Sequence, residues 1–288
     1  MTPPVGGQDM FCFSNSLSTE VILITVVKFP YDPTLTIVSI ILHRMEYTVT
    51  KRTFLITGAS KGIGRALSER LARDGHEVIG LARRADDAHF PGKLRSVDLT
   101  DPVATDAILR ELVSEYSFDG VVNNVGFVRL APLGEITLDQ LATSFSSNLN
   151  PAVQAVQALL PQMREKGWGR VVNVSSLVAL GVAQRSAYAA AKGAMNSLTR
   201  TWGLELAATG ITVNSVAPGP VETELFRENT PAGSDAEQRF LSLVPMRRLG
   251  KPAELAASIA FLMSEEAGYI TGQTLYVDGG ASIGRSSV

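Results

Sequence analysis

From about residue 50 onward, short apolar runs alternate with longer amphipathic stretches. The apolar runs are rich in β-branched residues and predict seven strands: Thr53–Ile56, Glu77–Leu81, Leu94–Val97, Gly120–Val122, Val171–Val174, Ile211–Val216 and Thr274–Val277. The amphipathic stretches predict helices, among them Ile63–Arg73, Pro102–Tyr116, Ala187–Ala208 and Pro252–Met263. Because several strands are apolar throughout, we expect helices on both faces of the sheet. The pattern therefore predicts an α/β fold, a single domain with a doubly wound parallel sheet of about seven strands.

The first fifty residues break this alternation. Two apolar runs, Val21–Val27 and Leu35–Leu42, flank a segment with two prolines. Neither run reaches the roughly 20 apolar residues that a membrane-spanning helix needs, and residues 1–18 contain no Lys or Arg for a secretory or organellar leader. We expect residues 1–50 to be a poorly ordered extension, with Met45 as an alternative start, and residues 51–288 to form the functional domain. A membrane-surface or partner-binding tail is the alternative interpretation of the extension.

Charge and cysteine content exclude several classes of protein. The 288 residues include 26 Lys and Arg and 28 Asp and Glu, with a formal net charge of −2. This balance does not favour a nucleic-acid-binding protein. The single cysteine, Cys12, excludes an intrachain disulfide and a cysteine-based zinc site, and fits the reducing cytoplasm. With three histidines in the chain, we expect no metal site.

A glycine-rich turn joins the first of the seven predicted strands to a helix. Residues Thr57–Gly64 read TGASKGIG. Glycines let the backbone turn tightly and approach a pyrophosphate closely, and the helix N-terminus offers N–H donors to that anion. The turn therefore predicts a dinucleotide-binding site. The same residues also match G-x-S-x-G, the nucleophile elbow of hydrolases. A hydrolase would need a histidine base further along the chain, and no histidine follows His89.

The end of the second strand indicates which dinucleotide is bound. An acidic residue about 20 positions after the glycines would hold the ribose hydroxyls of NAD. Arg83 and Arg84 stand there instead, and Lys61 adds a cation within the turn. Cations without a carboxylate suit a 2′-phosphate, so NADP(H) is favoured over NAD(H). The alternative is that Arg83 and Arg84 are solvated loop charges.

A tyrosine and a lysine form a candidate acid–base pair. Tyr188 and Lys192 lie four residues apart on a predicted helix and so share one face. The pKa of a free tyrosine is about 10, and a nearby ammonium is expected to lower it. Upstream, Ser175 and Ser176 end an apolar strand, where ligands of α/β proteins bind. Helix capping or loop hydrogen bonding is the alternative role of these serines.

Together these segments resemble the short-chain dehydrogenase/reductases. Thr57–Gly64 is similar to the family's TGxxxGIG turn, and Asn123–Gly126 is similar to its NNAG segment, with Val125 in place of alanine. Four further segments resemble the family's remaining motifs: Asp98-Leu99, Pro218–Thr223, Ile270–Gln273 and Val277–Gly280. The resemblance covers Thr53 to Gly280.

The resemblance implies a Rossmann-type fold with a catalytic tetrad of Asn148, Ser176, Tyr188 and Lys192. It implies hydride transfer from NADPH to a carbonyl carbon, with Tyr188 as the proton donor and Ser176 bonded to the carbonyl oxygen. Lys192 would hold the nicotinamide ribose and lower the pKa of Tyr188, and Asn148 would anchor a relay water. The implied cofactor-binding residues are Gly58, Ser60, Lys61, Gly62, Ile63, Gly64, Arg83, Asp98, Leu99, Asn124, Gly126, Tyr188, Lys192, Pro218, Val221 and Thr223.

Within the family, the segments Arg247–Gly250 and Ile270–Gly272 are most similar to 3-oxoacyl-(acyl-carrier-protein) reductases. Those enzymes carry arginines before the fifth and sixth strands that dock the acidic carrier. Gly167 and Thr209 occupy these positions here, which leaves Lys166 as the only obvious substitute.

The resemblance therefore implies an NADPH-dependent oxidoreductase that reduces a ketone or 3-oxoacyl substrate. Its partners are expected to be a small carbonyl or acyl-thioester substrate and copies of itself, in a cytoplasmic homotetramer or dimer without nucleic-acid or membrane partners. One alternative is an NAD(P)-dependent secondary-alcohol or sugar dehydrogenase that works in the oxidative direction. Another is an NADP-binding sensor or scaffold without turnover.

Overall fold

The computed structural model describes residues 8–14, 20–29, 32–44 and 50–284. It divides into two compact units, one up to Thr50 and one from Lys51. The first unit contains a three-stranded antiparallel sheet, in the order β1 (Gln8–Ser14), β2 (Glu20–Phe29) and β3 (Asp32–Arg44). The two apolar runs noted above fall within β2 and β3. Met45 lies outside the described residues, and the poor ordering expected of the extension stays a prediction.

The second unit carries a seven-stranded sheet in which every neighbouring pair is parallel. Its strands are β4 (Thr53–Thr57), β5 (Glu77–Ala82), β6 (Lys93–Ser96), β7 (Gly120–Asn123), β8 (Gly169–Val174), β9 (Ile211–Pro218) and β10 (Thr274–Val277). The spatial order is β6-β5-β4-β7-β8-β9-β10. The strand order reverses between β4 and β7, and this switch point is where open α/β sheets bind their ligands. The seven predicted strands are confirmed.

Between residues 50 and 284, seven α-helices connect or follow these strands. They are α1 (Gly62–Arg73), α2 (Pro102–Glu115), α3 (Leu138–Lys166), α4 (Ser186–Leu206), α5 (Glu224–Asn229), α6 (Asp235–Leu243) and α7 (Pro252–Leu262). The four helices with predicted bounds are confirmed to within two residues at each end. The sequence pattern did not set the bounds of α3, which continues through Pro151 and Pro161. A proline inside a helix costs about 3 kcal/mol, and the buried residues along α3 offset that loss.

Helices cover both faces of the parallel sheet. Phe54 and Ile56 pack into one apolar cluster with residues of α1 and α7, whereas Leu55 packs into a second cluster with residues of α2 and α3. Strands β7 and β8 are buried at every position. Because both faces are covered, the central strands can be apolar throughout, as the sequence indicated. The fold is the predicted doubly wound, Rossmann-type sheet.

Within the described residues, no helix combines the length and the apolar content needed to cross a membrane.

Candidate active site

The glycine-rich turn between β4 and α1 depends on its three glycines. Gly58 and Gly62 have φ values of 65° and 55°, in the left-handed region that favours glycine. Gly64 is required for space, because a Cβ there would lie 2.2 Å from the carbonyl oxygen of Gly58. Lys61 precedes α1 and does not cap it with its side chain. The turn therefore places glycine backbone, which no side chain covers, at the start of a helix. This geometry suits a pyrophosphate.

Asn124 ties this turn to the end of β7. Its Nδ2 donates to the carbonyl oxygens of Thr57 and Gly58, both at 3.1 Å. Its backbone N–H donates to Thr57 Oγ1 at 2.9 Å. Val125, the departure from the family motif, is half-buried and packs against the second apolar cluster. The Asn123–Gly126 segment thus shapes the glycine turn across the switch point.

The predicted cofactor residues at the other side of the switch point lie at the ends of β5 and β6. Arg83 is exposed, and its carbonyl oxygen accepts a hydrogen bond from Ser96 Oγ at 2.9 Å. Asp98 accepts two hydrogen bonds from Thr100, which lower the pKa of its carboxyl, and the positive charge of Arg83 lowers that pKa further. Leu99 is buried in the second cluster. This edge therefore presents the exposed cation Arg83 beside the carboxylate of Asp98.

Three of the four residues of the predicted tetrad converge beside Gly126. A Cβ built on Gly126 would lie 3.5 Å from Lys192 Nζ, 3.7 Å from Tyr188 Oη and 3.8 Å from Asn148 Oδ1. The fourth, Ser176, lies just beyond the end of β8, where its hydroxyl accepts a hydrogen bond from the Val178 N–H at 3.2 Å. Since Gly126 has no side chain, the space between these polar groups stays open. A nicotinamide dinucleotide fits an arrangement of this kind, with the glycine turn at one end and the polar cluster at the other.

Asn148 is a buried residue of α3 that holds the loop after β7. Its Oδ1 accepts from the backbone N–H of Phe127 at 3.1 Å, and its Nδ2 donates to the carbonyl oxygens of Phe127 and Ser144 at 3.0 and 2.8 Å. These bonds bridge α3 to the loop that carries Gly126. Asn148 therefore positions the backbone next to Tyr188 and Lys192.

Lys192 is almost completely buried, with 1% of its surface exposed. Its Nζ donates to the carbonyl oxygen of Val174 at 2.8 Å and lies 5.7 Å from the centre of the Tyr188 ring. Burial lowers the pKa of Lys192 to about 8. Ser175 supports this arrangement, because its hydroxyl donates to the carbonyl oxygen of Lys192 at 3.1 Å.

The expected lowering of the Tyr188 pKa is not what the structure shows. Burial raises the pKa of Tyr188 above its ordinary value, and the influence of the nearby Ser176 hydroxyl and of the charge of Arg185 opposes this rise only in part. The physical reason is desolvation, since a phenolate loses more hydration on burial than a phenol. At neutral pH Tyr188 is therefore an uncharged phenol.

The Pro218–Thr223 segment lies against the glycine turn. Val221 is buried and forms a bridge with Gly250, while Thr223 caps α5 by accepting from the Phe226 N–H at 3.2 Å. A Cβ on Gly62 would lie 3.1 Å from the methyl group of Thr223. Segments distant in sequence therefore meet at the turn. The remaining predicted residues lie at or near this place: Ser60 is half-buried, and Ile63 packs on the first cluster.

Sequence reasoning missed Arg227, which joins the segments covering the site. Its Nη2 donates to Glu222 Oε1 at 2.6 Å and its Nη1 donates to Glu237 Oε1 at 2.6 Å. Glu237 also accepts from the Gly233 N–H at 2.6 Å. The capping-box spacing of Ser234 and Glu237 was the available signal for α6, but the partner of Arg227 could not be inferred from it.

Lys166, the carrier-docking substitute that the sequence left open, has its ammonium bonded within the chain. Its ammonium donates to the carbonyl oxygens of Ser117 and Phe118 at 3.0 and 2.8 Å, and to Asp119 Oδ1 at 2.9 Å. An ammonium has three donors, so these bonds use all of them. Gly167 terminates α3 in the left-handed conformation and offers no side chain.

Three comparisons with known proteins agree with this geometry. A family model described as enoyl-(acyl carrier protein) reductase matches residues 58–282. The 3-oxoacyl-(acyl-carrier-protein) reductase FabG of Vibrio cholerae is 40% identical over 237 residues, which make up 78% of this chain and 95% of that protein.

Two solved structures have similar folds. The aldohexose dehydrogenase of Thermoplasma acidophilum is 33% identical with a TM-score of 0.75, covering 83% of this chain and 96% of that one. ElxO with NADP bound is 28% identical with a TM-score of 0.76, covering 81% and 100%. The matched region includes most of the glycine turn, the polar cluster at Gly126 and the Pro218–Thr223 segment. The chain is an oxidoreductase that acts on CH–OH or C=O groups and belongs to the short-chain dehydrogenase/reductase family.

Proposed function

We propose that the chain is an NADPH-dependent reductase of ketone or 3-oxoacyl substrates, with residues 51–288 as its catalytic domain. The observation that carries this proposal is the convergence of Tyr188 Oη, Lys192 Nζ and Asn148 Oδ1 within 4 Å of one point beside Gly126. When bound, the reduced nicotinamide supplies the hydride to the carbonyl carbon. The chain's own residues bind and orient the reactants and deliver the proton.

Tyr188 donates its proton to the oxygen of the reduced carbonyl. Its raised pKa keeps the hydroxyl protonated at neutral pH, which suits proton donation in the reductive direction. Ser176 donates a hydrogen bond to the same oxygen and orients it. Lys192, with a pKa of about 8, is mostly charged at neutral pH and binds the ribose hydroxyls. Asn148 keeps the loop at Gly126 in place and anchors the relay water.

The preference for NADPH rests on the exposed cations Lys61 and Arg83 at the edge formed by the glycine turn and β5. Charge-assisted hydrogen bonds from such groups are the strong ones. A similar protein, ElxO, has NADP bound. Both observations support a 2′-phosphate at this edge.

The substrate proposed is an apolar ketone or a small acyl thioester. Phe127, Leu180 and Val182, from the two segments next to Tyr188, are 41%, 57% and 43% exposed. Side chains of this kind favour an apolar substrate over a sugar, although one structural neighbour is an aldohexose dehydrogenase. Because Lys166 is engaged and Gly167 lacks a side chain, nothing at these positions favours a carrier-bound chain. We further propose that the protein is cytoplasmic and that it forms a homotetramer or dimer. Light scattering would test the oligomeric state.

A substrate panel tests the proposal. The purified chain is assayed with NADPH against ethyl acetoacetate, acetoacetyl-CoA and a carrier-bound 3-oxoacyl chain, and with NADP⁺ against aldohexoses and secondary alcohols. We expect NADPH consumption with the first two. Oxidation of sugars alone would assign the chain to the dehydrogenases. Tight NADP⁺ binding without turnover on any compound would assign it a sensor or scaffold role.

A further inference from the structure

The loop that follows β5 carries opposite charges close together. Arg83 and Arg84 are followed by Asp86 and Asp87. This inference rests on the function proposed above, in which the edge that carries Lys61 and Arg83 (the Lys61–Arg83 edge) receives the 2′-phosphate of the cofactor. A carboxylate pointing toward the same place would repel that phosphate. The position of these carboxylates therefore affects how strongly the site binds NADP in preference to NAD.

Arg65 of α1 engages Asp87. Its Nη1 forms an ion pair with Asp87 Oδ2, while its Nη2 donates to the carbonyl oxygen of His89 at 2.7 Å. Its Nε donates to Glu69 at 2.8 Å. The other oxygen of Asp87 accepts from the His89 N–H at 2.9 Å. Both carboxylate oxygens of Asp87 are thus occupied within the loop and the helix.

Packing beneath the ion pair fixes the loop against the sheet. Phe90 fills the space that Gly80 leaves in the middle of β5, since a Cβ on Gly80 would lie 2.6 Å from the tip of the Phe90 ring. The guanidinium carbon of Arg65 lies 5.5 Å from the centre of the same ring. The loop is held by an aromatic anchor in the core and by a cation at the surface.

We propose that Arg65 is a positioning residue for cofactor selection: by neutralising Asp87, it keeps the Lys61–Arg83 edge cationic and able to bind a 2′-phosphate. Arg65 does not itself touch the phosphate in this proposal. It acts through Asp87, so removal of the aspartate charge should make Arg65 dispensable for selectivity. This relation separates the proposed role from a purely structural one.

The test is a double-mutant cycle on cofactor binding, measured without substrate. Isothermal titration calorimetry gives the dissociation constants of NADP⁺ and NAD⁺, and their ratio isolates the 2′-phosphate because the two ligands are otherwise identical. Arg65→Leu should lower the NADP⁺ preference by roughly tenfold, through repulsion of the phosphate by an unpaired carboxylate. Asp87→Asn alone should keep or raise the preference. The double variant should return to within about threefold of the wild type.

Arg70→Leu is the matched control, because Arg70 lies on the same helix and pairs with Asp74 at 2.6 Å. It should leave the ratio unchanged. Arg65→Lys retains a cation opposite Asp87 and should stay within about threefold of the wild type, which keeps the test available if the leucine variant fails to fold. An unchanged ratio in Arg65→Leu, an equal loss in Arg70→Leu, or a double variant as weak as Arg65→Leu would overturn the inference. A wild type without NADP⁺ preference would instead refute the cofactor assignment on which the inference rests.

Discussion

Lys192→Met should make the protein more stable while it abolishes turnover. Lys192 is buried, and its pKa of about 8 compares with an ordinary value of 10.5. Since one pKa unit corresponds to 1.36 kcal/mol, holding this ammonium in the fold at neutral pH costs about 3 kcal/mol. Methionine has a similar length and no charge, but it leaves the Val174 carbonyl without its donor, a loss of about 1–2 kcal/mol. The net gain should be about 1–2 kcal/mol, or a Tm about 2–8 °C higher.

The predicted gain in stability depends on pH, and the direction of that dependence follows from the pKa of Lys192. Because the folded pKa of Lys192 lies below the unfolded one, the unfolded chain binds more protons between these values, and wild-type stability rises with pH across that interval. The advantage of Lys192→Met over the wild type should therefore be largest below pH 8, shrink as the pH rises, and reverse before about pH 10.5, where the charge cost is gone and the lost hydrogen bond to Val174 remains. Urea unfolding of both proteins without cofactor, at neutral and alkaline pH, measures it, and the other titrating groups cancel in the comparison.

Lys166→Met is the matched control, since the Lys166 side chain is 26% exposed and its ammonium is paired with Asp119. This variant should lose roughly 1–3 kcal/mol, because its acceptors are left without partners. A Lys192→Met variant less stable than the wild type at neutral pH, or a difference that does not narrow as pH rises, would refute the reasoning.

Four further predictions concern the site and the extension. Tyr188→Phe should bind NADP⁺ as the wild type does but lose about 10²–10⁴-fold in kcat, because the proton donor is gone; retention of a tenth of kcat would contradict its role. Gly64→Ala should disrupt cofactor binding, since its Cβ would lie 2.2 Å from a backbone oxygen, whereas Gly193→Ala, with no atom within 4 Å, should stabilise α4 by about 0.5–1 kcal/mol in thermal unfolding. A chain starting at Met45 should keep its Tm and activity, and loss of either would show that the extension contributes to the fold or the site. Steady-state kinetics of the wild type should favour NADPH by roughly 10²-fold, from two charge-assisted contacts; Arg83→Asp should shift that preference toward NADH through KM, and an unchanged preference would place the phosphate elsewhere.

Local patterns determined the strands and the turn. Strands β7 and β8 each carry adjacent valines and are buried at every position, as expected for strands with both faces of the sheet covered. The positive φ of Gly58 and Gly62 follows from local backbone sterics, which a run of glycines before a helix reveals. The four-residue spacing of Tyr188 and Lys192 places them on one helix face without any knowledge of the tertiary structure.

Tertiary structure decided the properties that depend on burial and on distant partners. The helix α3 continues through two prolines because its side chains are buried against other elements, a gain that local propensity does not contain. The sign of the Tyr188 pKa shift follows from desolvation, which spacing along a helix cannot report. Lys166 pairs with Asp119 47 residues away, and Arg65 pairs with Asp87 22 residues away. Many charges in this chain could pair at such separations, and only the folded backbone selects which of them lie within a few ångströms of each other.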